Sequence, residues 1–337
     1  MSLENNPKIR MFIVTYNNPR HLHQTLTSYK NSLACFDYPI EIIIIDNFPD
    51  NFELLAPFNE WSNIKVIHNY ARPSWSEGHT ARNWNQALMH GFKNLKNPEC
   101  DIVITLQDDS FFMPDWLKIL LNAHEKYTFV MEGHGDQMCS WTCEGVRSIG
   151  LWDERFCALA WAEADYQTSA VAFNAKKSCI NTNHPLGYWN KLDTPYPEYH
   201  SKLWLDSEIN TFKNEIGEGY YINTFGHFIR RPLIQNNVRN EDRVKSFNRG
   251  IQAILADLYE YKWGFKPLVH GYDDDATNLE WIAKNVKAPK TYNFMTYPYF
   301  EDDVHDLEGK NYFKFSLPRS GDGIRLTDDA PPWSNRV

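Results

Sequence analysis

Two adjacent carboxylates, Asp108 and Asp109, follow the apolar run Ile102-Val103-Ile104-Thr105-Leu106 and precede a helical pattern that opens near Pro114. Like charges this close raise each other's pKa, and a divalent cation between them removes the conflict. Hard oxygen ligands suit Mg²⁺ or Mn²⁺, ions that typically bridge to substrate phosphates. An isolated Asp-Asp pair reads as a solvated turn, so the weight of the metal reading comes from the rest of the chain.

The elements that must position these carboxylates alternate. Ile9 to Val14 reads as a strand, and Leu22, Leu26 and Tyr29 then fall at helical spacing, with Pro19 placed to open the helix. Ile40 to Ile45 is a second strand, whose four consecutive isoleucines predict burial on both faces, as in a parallel sheet. Ile64 to Ile67 is a third strand and Ile102 to Leu106 a fourth. Ser76 to Phe92 and Pro114 to Ala123 are helical, with Trp84, Ala87 and Leu88 on one face of the first. This order predicts a doubly wound, mostly parallel α/β sheet. Each strand ends in polar residues: Thr15-Tyr16-Asn17, Asp46-Asn47, His68-Asn69 and Gln107-Asp108-Asp109. Open α/β sheets bind ligands beyond the carboxyl ends of their strands, so these endings predict one crevice, and two Asp in it suggest a metal–phosphate ligand.

Composition removes several classes. The chain has 337 residues and a net charge of −9, with no Lys/Arg run, so nucleic acid is not an expected partner. No apolar stretch reaches the ~20 residues that span a bilayer, which leaves only peripheral membrane contact open. The polar start, Met1 to Arg10, lacks the apolar region of a signal peptide. The six Cys show neither zinc-finger spacing nor the density of a disulfide scaffold and read as free thiols in a reducing cytoplasm. Past Tyr127 the alternation weakens. Gly133 to Gly150 reads as a loop, Leu151 to Phe173 is dense in aromatic and acidic residues, and Asn248 to Trp263 is helical. From Phe265 onward the chain is polar and dotted with proline.

In order along the chain, these pieces resemble the family-2-like glycosyltransferases of the GT-A fold. Phe12-Ile13-Val14-Thr15-Tyr16-Asn17-Asn18 resembles that family's first strand and nucleotide loop. Ile42 to Asp46 resembles its second strand, ending in the base-recognising Asp. Gly78-His79-Thr80-Ala81-Arg82-Asn83 is similar to its Gly-x-x-x-Ala-Arg-Asn helix start. Leu106-Gln107-Asp108-Asp109 with Pro114-Asp115-Trp116-Leu117 is similar to its metal motif and following helix, although Gln107 stands where many members carry Asp. Ile149 to Phe156 resembles the acceptor-side segment, and Tyr261-Lys262-Trp263-Gly264 a C-terminal Lys-Trp-Gly.

The resemblance implies a Rossmann-like GT-A domain over residues 1–264, with a nucleotide-sugar half (1–127) and an acceptor half (128–264), followed by an extension over 265–337. It implies transfer of a sugar from a nucleotide diphosphate donor, UDP favoured, to a hydroxyl of a glycan or glycoconjugate, with inversion and with Mn²⁺ or Mg²⁺. Asp109 is then the primary metal ligand, with His227 as a further one and His200 and His270 as its rivals. Thr15, Tyr16, Asn17, Asp46, Arg82 and Asp108 fall to the nucleotide sugar. Trp152, Asp153 and Glu154 fall to the acceptor side, with Trp152 and Trp161 equally suited to the core. The base motif is altered to Ala162-Glu163-Ala164-Asp165-Tyr166. Alignment on Asp165-Tyr166 makes Glu163 the base, and a one-residue slip makes it Asp165. Two rivals stand beside this reading. A sugar-phosphate nucleotidyltransferase would want a Gly-rich basic loop after the first strand. A catalytically inactive sugar- or nucleotide-binding module is kept open by the altered base motif.

Overall fold

The computed structural model describes residues 6–16, 19–33, 38–48, 64–70, 80–108, 110–112, 116–133, 138–157, 159–182, 189–190, 192, 220–222, 228–230, 254–263, 265 and 279–286. Four isoleucine- and valine-rich strands open the fold: β1 (Ile9–Thr15), β2 (Ile40–Asp46), β3 (Ile64–His68) and β4 (Ile102–Gln107). Their neighbours in the main sheet are β6 (Phe129–Gly133), β7 (Met138–Thr142) and β8 (Ser178–Thr182). The seven strands run in the order β3-β2-β1-β4-β7-β6-β8. All are parallel except β7, which is antiparallel to both β4 and β6. This is a doubly wound, mostly parallel, Rossmann-like sheet, as the strand pattern predicts.

Alternation along each strand sends side chains to two cores. On one face, Ile9, Met11 and Ile13 of β1 pack with Ile42 and Ile44 of β2 and Ile104 of β4. They are covered by Leu22, Leu26 and Tyr29 of α1 (Pro19–Leu33) and by Trp116, Leu117 and Leu120 of α3 (Trp116–His124). The indole Nε1 of Trp116 donates to Ser32 Oγ at 3.0 Å, which satisfies its one polar atom inside the core. On the other face, Phe12, Ile43, Ile45 and Val103 pack beneath Trp84, Ala87 and Leu88 of α2 (Thr80–Phe92).

The same second core continues under α4 (Cys143–Ile149), α5 (Leu159–Asn174) and α6 (residues 254–263). Helix α5 is unusual in that residues 161–170 are all buried, including Glu163, Asp165, Gln167 and Thr168. A helix enclosed on every side has no polar stripe, so the 3.6-residue pattern that marks a surface helix is missing. Helix α7 (Leu279–Asn285) buries Leu279 and Ile282 in this core, so part of the segment read as a polar extension is packed against the sheet domain.

The expected loop over 133–150 is a correction. It contains β7 and α4. Met138-Cys139-Ser140-Trp141 is buried between two strands, a short mixed run that carries no alternation to read. The Thr142 side chain caps α4 by accepting from Gly145 N at 3.3 Å. A smaller sheet joins β5 (Ser110–Phe111), β10 (Phe228–Arg230) and β9 (Tyr220–Ile222) in that order.

Gly145 is fixed by space. A Cβ placed there would lie 2.2 Å from the backbone oxygen of Thr128, which cannot rotate away. That oxygen also accepts from Thr142 N at 2.9 Å. Gly145→Ala is expected to destabilise the protein by about 1–3 kcal/mol through overpacking. Urea unfolding measures this directly, and an unchanged midpoint would mean that α4 sits further from β6 than described.

Candidate active site

The register of three parallel strands decides what meets at the sheet edge. Thr15 of β1 lies opposite Asp46 of β2, and Val14 lies opposite Gln107 of β4. The first polar residue after β4 therefore arrives beside the end of β1. Thr15 Oγ1 donates to Asp108 Oδ2 at 2.5 Å. Thr25, nearly two turns into α1, has its hydroxyl 2.6 Å from Asp108 O and 2.7 Å from Ser110 O, which share its one hydrogen. These bonds pin the backbone on both sides of Asp109.

Asp46 is fully buried. Its Oδ1 accepts from Phe48 N at 2.8 Å, and its Oδ2 lies 3.0 Å from Nδ1 of the half-exposed His68. Tyr16 packs edge-on against Phe48 with ring centroids 5.5 Å apart. Beside them runs a ladder of amides. Asn69 N donates to Asp46 O at 2.8 Å, and the Asn69 side chain donates to Asn47 Oδ1 and exchanges bonds with Gln86 of α2. Among the described residues, this crevice is lined by carboxylate and hydroxyl oxygens, side-chain amides and the His68 imidazole.

A second polar group lies on the far side of α2. Asn85 Oδ1 accepts from Trp152 N at 2.8 Å, and its Nδ2 donates to Trp152 O and Glu154 Oε1, each at 2.9 Å. Trp152 is fully buried and stacks on Tyr166 of α5, with centroids 4.1 Å apart and planes at 5°. Tyr166 OH in turn donates to Gly150 O at 3.0 Å. Asp153, also buried, accepts from the Arg155 guanidinium at 2.8 Å and 2.5 Å and from Lys262 Nζ of α6 at 3.0 Å. Lys262 Nζ also donates to Asp165 Oδ2 at 2.9 Å, and Trp263 Nε1 donates to Asp165 Oδ1 at 2.8 Å.

Burial alone would raise both carboxyl groups. For Asp153 that push is overcome by Lys262 and Arg155, which hold its pKa well below the ordinary aspartate value. For Asp165 burial wins, aided by the negative Asp153, and its pKa is raised despite Lys262.

The sequence-predicted residues thus fall into two groups. Thr15, Tyr16, Asp46 and Asp108 gather at the carboxyl ends of β1, β2 and β4, and Arg82 is exposed in the first turn of α2. Trp152, Asp153, Glu154, Glu163 and Asp165 belong to the loop after α4 and to α5. Among them Glu154 is exposed, while Glu163 is 4% exposed. Asn17, Asp109 and His227 lie outside the described residues, as do His200 and His270. Strand β10, which follows His227 directly, pairs with β5, which follows Asp109 directly. Among the described residues no three His, Cys, Asp or Glu side chains gather to hold a metal ion.

Sequence reasoning assigned no role to Asn85, none to His68 beyond its place among the polar strand endings, and none to Lys262 beyond the Lys-Trp-Gly resemblance. The signal for Lys262 was present, since a lysine beside a tryptophan within an apolar helical pattern must find a partner for its charge.

Asp153 makes a pH prediction. A carboxyl group with a depressed folded-state pKa stabilises the fold above its unfolded pKa, and that stability is lost as pH falls through the folded value. Asp153→Asn should cost about 3–5 kcal/mol at neutral pH, the scale for stranding a buried partner charge. The gap to wild type should narrow below about pH 4, where unfolded aspartates begin to protonate. Urea unfolding from pH 7 to pH 3 tests this, and a gap independent of pH would remove the ion pair from the account.

Residues 11–133 match the family described as Glycosyl transferase family 2. Among solved structures, the chain is similar to the mannosyltransferase PcManGT from Pyrobaculum calidifontis in complex with GDP-Man and Mn²⁺. Identity is 13% and the TM-score 0.38, over 59% of this chain and 60% of that one. It is also similar to S. aureus TarS 1-349, at 16% identity and a TM-score of 0.37, over 54% of this chain and 59% of that one. For TarS 1-349 in complex with UDP-GlcNAc the values are 15% and 0.36, over 59% and 62%. The chain thus spans about 60% of the length of these structures. No curated protein matches it. The matched segment runs from β1 to β6 and contains the strand ends that form the crevice.

Proposed function

We propose that this chain transfers a sugar from a nucleotide diphosphate donor, uridine-linked by preference, to a hydroxyl of a glycan or glycoconjugate, inverting the anomeric centre. The observation that carries the reading is the convergence of Thr15, Asp46 and Asp108 on one crevice, inside the segment that matches the family. The half-buried Asp108 carboxylate beside the Thr15 hydroxyl supplies hard oxygen atoms at this edge, and that chemistry fits Mn²⁺ or Mg²⁺. Asp109 and Asp108, with His227 as a further ligand, are the residues that would hold such an ion. When bound, the ion would stabilise the charge that grows on the leaving diphosphate.

The chain's own residues then have defined tasks. Asp46, Thr15, Tyr16 and Asn17 bind the nucleoside, and Arg82 in the first turn of α2 meets the diphosphate where the helix dipole also favours an anion. The acceptor hydroxyl must lose a proton as it attacks. Asp165 is poorly suited to take it, because Lys262 and Trp263 already occupy both of its oxygens. Glu163, two residues earlier on α5 and at the base position in the family resemblance, is the proposed base, and such a group is worth ~10²–10⁴-fold in rate. Attack from the side opposite the leaving group gives inversion.

Two measurements test the reading. Nucleotide diphosphates and nucleotide sugars, screened by thermal shift with and without Mn²⁺, should give a metal-dependent stabilisation by one nucleotide base, because a ligand of the native state raises its apparent stability. Asp109→Ala should abolish that shift, and retention of it would remove Asp109 from the site. Glu163→Gln should keep donor binding while transfer drops by ~10² or more. If Asp165→Asn stops transfer and Glu163→Gln does not, the base is Asp165.

A further inference from the structure

We infer that Lys262 is a positioning residue for transfer, a buried cation that fixes the acceptor-side loop to the helix bearing the base. Its ammonium lies within 3.0 Å of carboxylate oxygens from two separate elements, Asp153 in the loop after α4 and Asp165 in α5. Its side chain is 9% exposed, and those of Asp153 and Asp165 are 2% and 3% exposed, so water does little to screen the arrangement. Neighbouring contacts fix the direction of the ammonium. It sits 5.6 Å from the Phe156 ring centroid and 5.3 Å from that of Trp263, and Trp263 bonds Asp165 from the adjacent position on α6.

The consequence is geometric. The loop of residues 150–157 is held from one side by Asn85 of α2, through three hydrogen bonds to Trp152 and Glu154. It is held to α5 by the Trp152–Tyr166 stack and by the bond from Tyr166 OH to Gly150 O. Lys262 supplies the ionic part of this frame. Without it Asp153 and Asp165 would repel each other across a water-poor gap, with Arg155 left as the neutralising group on the Asp153 side. Separation of the two elements would shift Glu154 and Glu163 relative to each other. Small displacements of this kind are costly to a reaction that depends on alignment. Lys262 itself touches no reacting atom in this account. It acts through Asp153 and Asp165.

This inference rests on the transferase reading above, and the experiment separates the two. Lys262→Met, Lys262→Arg, Asp165→Asn and the double variant Asp165→Asn/Lys262→Met are compared with wild type for transfer, for affinity toward UDP with Mn²⁺, and for urea unfolding. Lys262→Met is expected to lower kcat at least tenfold while UDP–Mn²⁺ affinity stays within twofold. Lys262→Arg should recover part of the rate by restoring a cation. The double variant, which removes one carboxylate together with its cation, should unfold at higher urea than Lys262→Met alone. A kcat within twofold of wild type for Lys262→Met, at a temperature where it is fully folded, would overturn the positioning role. Equal losses for Lys262→Arg and Lys262→Met would overturn it as well. If wild type transfers no sugar, the functional reading fails by itself. The clamp is then judged by the unfolding cycle, where strong coupling of Lys262 with Asp165 supports it and additivity overturns it.

Discussion

The in-register parallel pairing of β1 with β2 and β4 is the constraint on which the candidate site depends. Ile9 lies opposite both Ile40 and Ile102, and from that start the three strands finish together. In a parallel sheet buried on both faces the strand interiors are mostly apolar, with the buried Thr105 of β4 an exception here, so most of the polarity falls near the strand ends. Thr15, Asp46 and Gln107-Asp108 therefore become neighbours because of the register rather than because of any local motif. A one-residue slip would turn every isoleucine to the wrong layer, so the core that fixes the register also fixes the site.

The second half of the fold handles charge differently. At the strand ends Asp108 is half-buried against the Thr15 hydroxyl, and the buried Asp46 is held by Phe48 N and the His68 imidazole. Around α5 Asp153 and Asp165 are buried and answered by full cations, Lys262 and Arg155. Such buried pairs add little net stability over an apolar core, but removing one partner is costly. Their value here is directional. Hydrogen bonds from a single ammonium to two carboxylates specify where α6 and the loop after α4 must sit, which apolar packing alone specifies less sharply.

Much of the first layer of structure was legible in the sequence, and the reasons are specific. The isoleucine run of β2 declares burial on both faces, Pro19 marks the first residue of α1, and the polar strand endings point to one edge. Other parts were hidden for equally specific reasons. β7 is short and rich in Cys, Ser and Trp, so it has no period to detect. α5 is enclosed on all sides and shows no amphipathic stripe. The joining of Lys262 to Asp153 and Asp165 spans 109 and 97 positions in the chain, a distance across which no spacing rule operates. The carboxylates could be picked out and the need of Lys262 for a partner was visible, while the pairing between them was not.

The central place of β1 bears on how the chain is made. Its two hydrogen-bonding edges are completed by strands of very different age during synthesis. β2 follows within a few tens of residues, whereas β4 begins only at Ile102. Until then a β1–β2 ribbon exposes one open edge and two apolar faces, the kind of surface that recruits other unfinished chains. The nascent protein therefore passes through an interval of adhesiveness that ends when β4 arrives, and any change that slows the synthesis or docking of residues 80–107 would lengthen it.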